Sequence, residues 1–381
     1  LITTPETLAI MLAAPKFSLS MNETRWLIVD EIHSLASGKR GTQLALSVEI
    51  LNRISPTLTR VGLSATIAPL EEVAHYLAGS IEPGKPRDCL IVDIAHFKEM
   101  DMKVISPLPD LINTTQKNMD EAVYRTLDDL IGSHRTTLIF TNTRAATERV
   151  VHHLKDKFPA KYEGLIGAHH SSLSREHRLN VEDRLKKGEL RVCVSSTSLE
   201  LGIDIGYIDL VILLGSPKGV ARALQRIGRA GHKLHDVVKG RIVVLDRDDL
   251  VECGVLLKNA IEKNIDRVYV PKNALDVLSQ HIFGMVVNEP KMVEEVYAEI
   301  RRAYPYENLT RADFESVMMY LSGAYAGLEV RHVYAKVWVD EKTGLMGKRG
   351  KTARMLYMTN IGTIPDEAKI RVTYQAGEMI A

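Results

Sequence analysis

Trp26-Leu27-Ile28-Val29-Asp30-Glu31-Ile32-His33 is an apolar run of four that ends abruptly in two adjacent carboxylates, one more apolar residue and a histidine. Short, apolar and β-prone, it predicts a buried strand of a parallel sheet. In open α/β sheets, ligands sit just beyond the carboxyl ends of such strands. Two carboxylates there suit a magnesium–triphosphate site. Asp30 would hold Mg²⁺, largely through its waters, because magnesium keeps much of its hydration. Glu31 would orient and deprotonate the water that attacks a γ-phosphate. An aspartate here also caps helices, and these eight residues alone fit either role.

Upstream, Leu1-Ile2-Thr3-Thr4-Pro5-Glu6 reads as a strand end running into a helix, with Thr4 as N-cap and Pro5 at the first helical position. The free N–H groups of such a start can also meet a phosphate. Downstream come Ser37-Gly38-Lys39-Arg40-Gly41 and an amphipathic run from Thr42 to Ile54. Lys39 and Arg40 are candidates for touching a nucleic-acid backbone, although exposed basic pairs are commonly only solvated. Arg60-Val61-Gly62-Leu63-Ser64-Ala65-Thr66 is a short strand ending in small hydroxyl residues, which can hydrogen-bond across a cleft without filling it.

Asp30-Glu31-Ile32-His33 followed by Ser64-Ala65-Thr66 resembles motifs II and III of superfamily 2, DEAD/DEAH-box-like ATP-dependent helicases. The wider string from Asp30 to Gly41 is similar to the large-helicase-related (Lhr) type in particular. The resemblance implies that His33, with the hydroxyls of Ser64 and Thr66 on either side of Ala65, links a nucleotide site to a nucleic-acid track.

Residues 80–118 are rich in Pro, Gly and isolated charges and read as an edge strand, Cys89 to Ile94, plus a connection between lobes. After an amphipathic helix from Asn118 to Ile131, a βα rhythm restarts with strands at 136–140, 165–170, 190–194 and 210–214, implying a second parallel sheet. Polar residues cluster where these strands end: Asn142, Arg144, His170, Ser171, Thr197 and Ser198. Each alone fits a helix cap. Together they suit a sugar–phosphate backbone without reading bases, and they resemble helicase motifs IV and V. Gly202 and Asp204 lie in the motif V match, where the family senses nucleotide and nucleic acid together.

Gly219 to His232 contains Gln225, Arg226 and Arg229, and helical spacing puts Gln225 and Arg229 on one face. Arginine in a cleft can stabilise the charge on a transferring phosphoryl group; an Arg-rich helix end is otherwise simply solvated. Gly228 and Gly231 cost helix stability and call for close backbone approach. The stretch resembles motif VI, with His232 standing where the family pattern has arginine. The arginine finger is expected at Arg229 first and Arg226 second.

A strand at 240–245 and a helix at 248–262 close this lobe. Beyond Pro271, helices are expected at 274–287, 292–303 and 311–321, and extended segments at 329–339 and 352–359. Three helices and a β-ribbon fit a winged-helix domain running into a β-rich module, again similar to Lhr-type helicases. Trp338 is a candidate for stacking on a base, although a tryptophan in an alternating strand commonly belongs to a core.

The fold class is therefore α/β: two RecA-like parallel-sheet lobes, the first truncated, then a winged helix and the start of a β-rich module. The expected domains are 1–95, 96–265, 266–328 and 329–381. The 381 residues exceed one compact core. A net charge of +1 leaves any nucleic-acid contact to local patches. Cys89, Cys193 and Cys253 form no CxxC pair, which fits a reducing, cytoplasmic setting without structural zinc. No apolar stretch approaches the ~18 residues of a membrane span. The resemblance implies an ATP- and Mg²⁺-dependent helicase or translocase moving 3′→5′ on single-stranded DNA, unwinding DNA or RNA–DNA duplexes in repair or recombination. The rival is a non-catalytic nucleic-acid-binding module derived from a helicase, which need not retain Glu31, Arg226 and Arg229. No G-x-x-x-x-G-K-[ST] phosphate loop occurs in the sequence. It is expected before Leu1, so this stretch alone should hydrolyse ATP poorly.

Overall fold

A computed structural model of the chain describes residues 1–65, 67–93, 99–200, 204–231, 237–324, 335–361 and 364. Thr66, Gly202 and His232 lie outside the described residues. The chain divides into two compact units, one built from Leu1–Val92 with Arg267–Ala381 and the other from Asp93–Asp266.

The second unit is organised on a six-stranded parallel sheet in the order Met100–Ile105, Val238–Val243, Leu210–Leu214, Thr137–Phe140, Val192–Ser195, Ile166–His169. Three of its inner strands, Leu210–Leu214, Thr137–Phe140 and Val192–Ser195, are almost wholly apolar because helices cover both faces, while Val238–Val243, next to the edge, carries Lys239 and Arg241. Successive side chains enter opposite cores: Leu138, Phe140, Cys193, Val211 and Leu213 join one apolar cluster, and Ile139, Val192, Val194, Leu210 and Ile212 the other. Burial pushes the Cys193 thiol up to about 12, so it packs as a small hydrophobe.

The edge strand is not where the sequence placed it. Cys89–Asp93 has no regular structure, Ile94 is not described, and Met100–Ile105 takes the edge beside Val238–Val243. The reason is alternation. Met100, Met102 and Val104 turn into the core, while Asp101 faces away and receives Arg241 Nη2 at 2.6 Å.

In the first unit, Trp26–Val29 pairs in parallel with Thr59–Gly62. Only Val29 is buried, and Trp26 and Ile28 are exposed, so the buried strand expected from the apolar run is buried at its carboxyl end alone. The helix Lys39–Ile54 runs behind it and packs on the helix Leu275–Val286, sharing one core through Leu44, Val48, Leu51, Leu278 and Ile282. Lys39 pairs with Asp276 at 2.8 Å, Gln43 donates to Gln280 at 3.2 Å and Arg53 pairs with Glu299 at 3.1 Å. Gly41 permits the close turn: a Cβ there would stand 1.9 Å from the Leu35 carbonyl oxygen. Buried Glu49 holds Arg60 at 2.9 Å and Arg87 at 2.8 Å, tying the segment around Gly79 to this helix.

Helices Leu275–Val286, Val293–Ile300 and Arg311–Ser322 combine with an antiparallel sheet ordered Lys291–Met292, Leu345–Lys348, Val337–Asp340. Helix, short strand, two helices and a hairpin is the winged-helix order. Thr352–Thr359, expected to be extended, is instead covered by the helix Ala353–Asn360. Ala353 and Tyr357 recur four residues apart on one buried face, and Tyr357 meets Phe283 edge-on at 5.7 Å.

Candidate functional site

The acidic strand ends in a strained turn. Glu31 has φ 49°, in the left-handed region, and caps the short helix Ile32–Ala36. A non-glycine residue there is held by its surroundings at a cost, and such residues collect at functional sites. Asp30 is exposed, and its Oδ1 accepts the Glu31 N–H at 2.9 Å. Glu31 Oε2 is buried without a hydrogen-bond partner and lies 3.4 Å from His33 Nε2. The other ring nitrogen of His33 meets Ser64 Oγ at 3.1 Å. His33 thus sits between Glu31 and Ser64, 3.4 Å from one and at hydrogen-bond distance from the other, at the ends of two adjacent parallel strands. Ala65 follows Ser64 in the bend.

Magnesium could be held here only in a largely hydrated form. Among the described residues no three His, Cys, Asp or Glu side chains cluster as a metal cage. One exposed carboxylate beside Glu31 fits an ion that brings its own waters.

The remaining candidates of this unit are mostly engaged. Thr4 caps the helix Pro5–Ala13 by accepting from Thr7 N–H at 3.3 Å, with Pro5 at its first position. Glu6 and Arg40 form a two-pronged pair at 2.5 and 3.1 Å. Lys39 reaches Asp276. Trp338 is 38% exposed and its ring lies over Gly347, where a Cβ would come within 2.7 Å of it.

In the second unit the strand-end residues share one edge of the sheet, and contacts link them. Thr143 caps the helix Arg144–Lys157. Arg144 Nη1 donates to Ser172 Oγ at 2.6 Å, beside exposed Ser171. His170 is buried, with Nε2 2.7 Å from Glu148. Asn142 donates to the Ser216 carbonyl at 2.8 Å and lies 3.4 Å from Arg226 Nη1. Thr197 is exposed, whereas Ser198 is half-buried and directed at His169. Asp204 pairs with Lys186.

The two arginines of the Gly-rich stretch separate. Arg226 is 2% exposed, pairs with Glu200 at 3.2 Å and stacks over Phe140 at 5.3 Å. Burial pushes its pKa down and Glu200 opposes that shift. Arg229 lies beyond the end of the helix Val220–Ile227, whose C-cap is Gly228, so the expected shared helical face with Gln225 gives way to a turn. Gly231, at φ 69°, closes that turn with its N–H 3.0 Å from the Ile208 carbonyl. Gln225 and Arg229 are both half-buried.

Sequence reasoning passed over Glu200, Glu182 and His169. Glu200 also meets Arg222 at 3.5 Å, and His169 bridges Ser198 and Glu182. The available signal was position for two of them: His169 ends its strand and Glu200 lies five residues past Ser195, whereas Glu182, in the middle of the helix Arg175–Lys186, carried no local signal.

Three family descriptions match in order along the chain: DEAD/DEAH box helicase over residues 1–73, helicase conserved C-terminal domain over 122–233, and large helicase-related protein, winged helix domain, over 258–381. The chain is 60% identical over 372 residues to ATP-dependent helicase Lhr-Core protein 2 of Thermococcus barophilus, covering 98% of this chain and 43% of that protein. It is 58% identical over 369 residues to ATP-dependent helicase Lhr-Core of Methanothermobacter thermautotrophicus, covering 97% and 43%. The solved structure of Mycobacterium smegmatis helicase Lhr bound to ssDNA and AMP-PNP superposes with a TM-score of 0.83 at 37% identity, covering 99% of this chain and 48% of that one. The chain spans less than half the length of these relatives. Three domain matches in the right order, a six-stranded parallel sheet and a winged helix place this chain in the large-helicase-related (Lhr) family of DEAD/DEAH-box helicases.

Proposed function

We propose that this chain forms part of an ATP-dependent helicase or translocase that moves 3′→5′ on single-stranded DNA and opens DNA or RNA–DNA duplexes during repair or recombination. Asp30 holds hydrated Mg²⁺, and Glu31 orients and deprotonates the attacking water. Arg229 supplies charge stabilisation at the γ-phosphate. Arg226 is buried within the second unit, whereas Arg229 is half-buried in the turn beyond the helix end, and that difference in exposure favours Arg229 for the role. His33 and Ser64 couple the state of the nucleotide to nucleic-acid binding. Gln225, Gly202 and Asp204 assist on the nucleotide side. Thr4, Pro5, Glu6, Lys39, Arg40, Asn142, Arg144, His170, Ser171, Thr197, Ser198 and Trp338 are the candidates for the nucleic-acid side. Residues 1–95, 96–265, 266–328 and 329–381 would act as the successive modules.

One observation carries this reading: Glu31 is held at φ 49° with a buried carboxylate oxygen next to His33, which in turn touches Ser64. A solvated helix cap needs neither the strain nor the link. The test is Glu31→Gln in the full-length protein. DNA-stimulated ATP hydrolysis should vanish while single-stranded DNA binding persists. Retained turnover would remove Glu31 as the base. Strand displacement on 3′- and 5′-tailed duplexes tests the polarity.

A further inference from the structure

At the end of the strand Ile166–His169, a three-residue relay lies inside the second unit. His169 is 1% exposed. Its Nε2 lies 2.8 Å from Glu182 Oε1, on the helix Arg175–Lys186. Its Nδ1 lies 2.6 Å from Ser198 Oγ, and the same hydroxyl lies 2.9 Å from the His169 carbonyl oxygen. Ser195 Oγ adds a contact at 3.3 Å.

A serine hydroxyl has one proton to give, and counting protons settles its direction. If His169 is neutral with its proton on Nε2, that N–H donates to Glu182 Oε1, Nδ1 is an acceptor, and Ser198 donates to it. If His169 is charged, Nδ1 donates to Ser198, and Ser198 gives its own proton to the His169 carbonyl. In both states the Ser198 proton is spent on His169. An ionised phosphate oxygen only accepts, so Ser198 has nothing to offer it.

We infer that Glu182 and His169 are positioning residues that turn Ser198 inward and thereby fix the loop from Ser195 to Glu200, leaving Thr197 as the hydroxyl that meets a nucleic-acid phosphate. The loop matters because of what it carries. Thr197 is exposed at the sheet edge. Three residues later Glu200 grips Arg226, whose Nη1 lies 3.4 Å from Asn142 at the neighbouring strand end. Displacing Ser198 therefore moves a candidate phosphate contact and the partner of a buried arginine together. This assignment rests on the nucleic-acid function proposed above and narrows it, since Ser198 passes from contact to support.

The test uses the full-length protein with Ser198→Ala, His169→Gln, the double variant, Thr197→Val, Glu182→Ala and Glu182→Gln. Three readouts are needed: equilibrium binding of an oligo-dT strand, the kcat and KM of DNA-stimulated ATPase, and amide hydrogen exchange over 195–200. Ser198→Ala and His169→Gln should each speed exchange in the loop and lower kcat, with the double variant no worse than either. Oligo-dT binding by Ser198→Ala should weaken by no more than about threefold, because the loosened loop still carries the Thr197 hydroxyl and loses only part of its placement. Thr197→Val should weaken it by roughly tenfold, the size of one hydrogen bond to a charged group. Glu182→Gln should behave as wild type, because its amide donates to Nε2 while Nδ1–H serves Ser198; Glu182→Ala should match His169→Gln. A tenfold loss of oligo-dT binding in Ser198→Ala, with exchange unchanged, overturns the assignment. Absence of DNA-stimulated ATPase in the wild type defeats the functional reading instead, and leaves the exchange result to judge the relay.

Discussion

Arg226 and Glu200 hold each other inside the second unit: Nε and Nη2 both lie 3.2 Å from one carboxylate oxygen, and the guanidinium side chain is 2% exposed. Removing one partner of such a pair leaves an uncompensated buried charge, which costs more than the pair itself gains. Glu200→Ala is therefore expected to destabilise the second unit by about 3 kcal/mol, read as a lower denaturant midpoint with the m-value unchanged. A variant as stable as wild type would show that the pair carries no weight.

Gly41→Ala should be among the most damaging single-methyl additions. The new Cβ would stand 1.9 Å from the Leu35 carbonyl oxygen and 2.8 Å from the Tyr76 hydroxyl, which already donates to the Gly41 carbonyl. Backbone cannot yield as a side-chain end can, so the loss should reach about 3 kcal/mol. Thermal melting of the purified chain decides it; an unchanged midpoint would contradict the packing.

Glu49 sits 3% exposed between Arg60 and Arg87. Glu49→Gln keeps the shape but removes the charge facing two guanidinium groups. The expected outcome is a loss of about 2 kcal/mol or more and faster proteolysis near Arg87. Arg87→Lys should be milder, because Arg60 still satisfies one oxygen.

His281 is buried on the helix Leu275–Val286, and burial pulls its pKa down to about 3. The unfolded chain then binds a proton that the folded chain refuses between pH about 6.5 and about 3. This group's contribution is complete above pH 6.5 and falls as pH drops, with a slope of up to about 1.4 kcal/mol per pH unit. Urea melts from pH 7 to 4 should show that slope, and His281→Gln should flatten it.

For the full-length protein, His33→Ala and Ser64→Ala should each depress DNA-stimulated ATPase, and the double variant should fall no further, because the two side chains form one contact at 3.1 Å. Additive losses would mean that they act separately.

The strand–helix rhythm of the second unit was legible because strands covered on both faces carry short apolar runs, as in Leu138–Phe140 within Thr137–Phe140 and Val192–Val194 within Val192–Ser195. The strand at Met100–Ile105 escaped notice because its charges alternate with methionines, and the helix Ala353–Asn360 because its two buried residues, four apart, are too few to set a period. The Asp30–Glu31 and Ser64 chemistry was visible as motifs, and the His33–Ser64 contact brings the two together. The burial of Arg226 was not. Arginine reads as surface, yet Val220, Ala223, Leu224 and Ile227 define an apolar stripe that Arg226, three residues past Ala223, adjoins. Nor could local sequence show the helix Lys39–Ile54 docking on Leu275–Val286, since nothing in either segment names its partner.

That docking makes the first unit discontinuous. Its two segments, Leu1–Val92 and Arg267–Ala381, are separated by the whole of the second unit, and the backbone bridge between Ala68 and Arg267 joins them. During synthesis Leu1–Val92 waits with Val48 and Leu51 uncovered until the ribosome has delivered Leu278 and Ile282, whereas Asp93–Asp266 can close as soon as it emerges. The segment made before the second unit is thus completed after it, and its unfinished apolar face is a point where the nascent chain is exposed to chaperones and to aggregation.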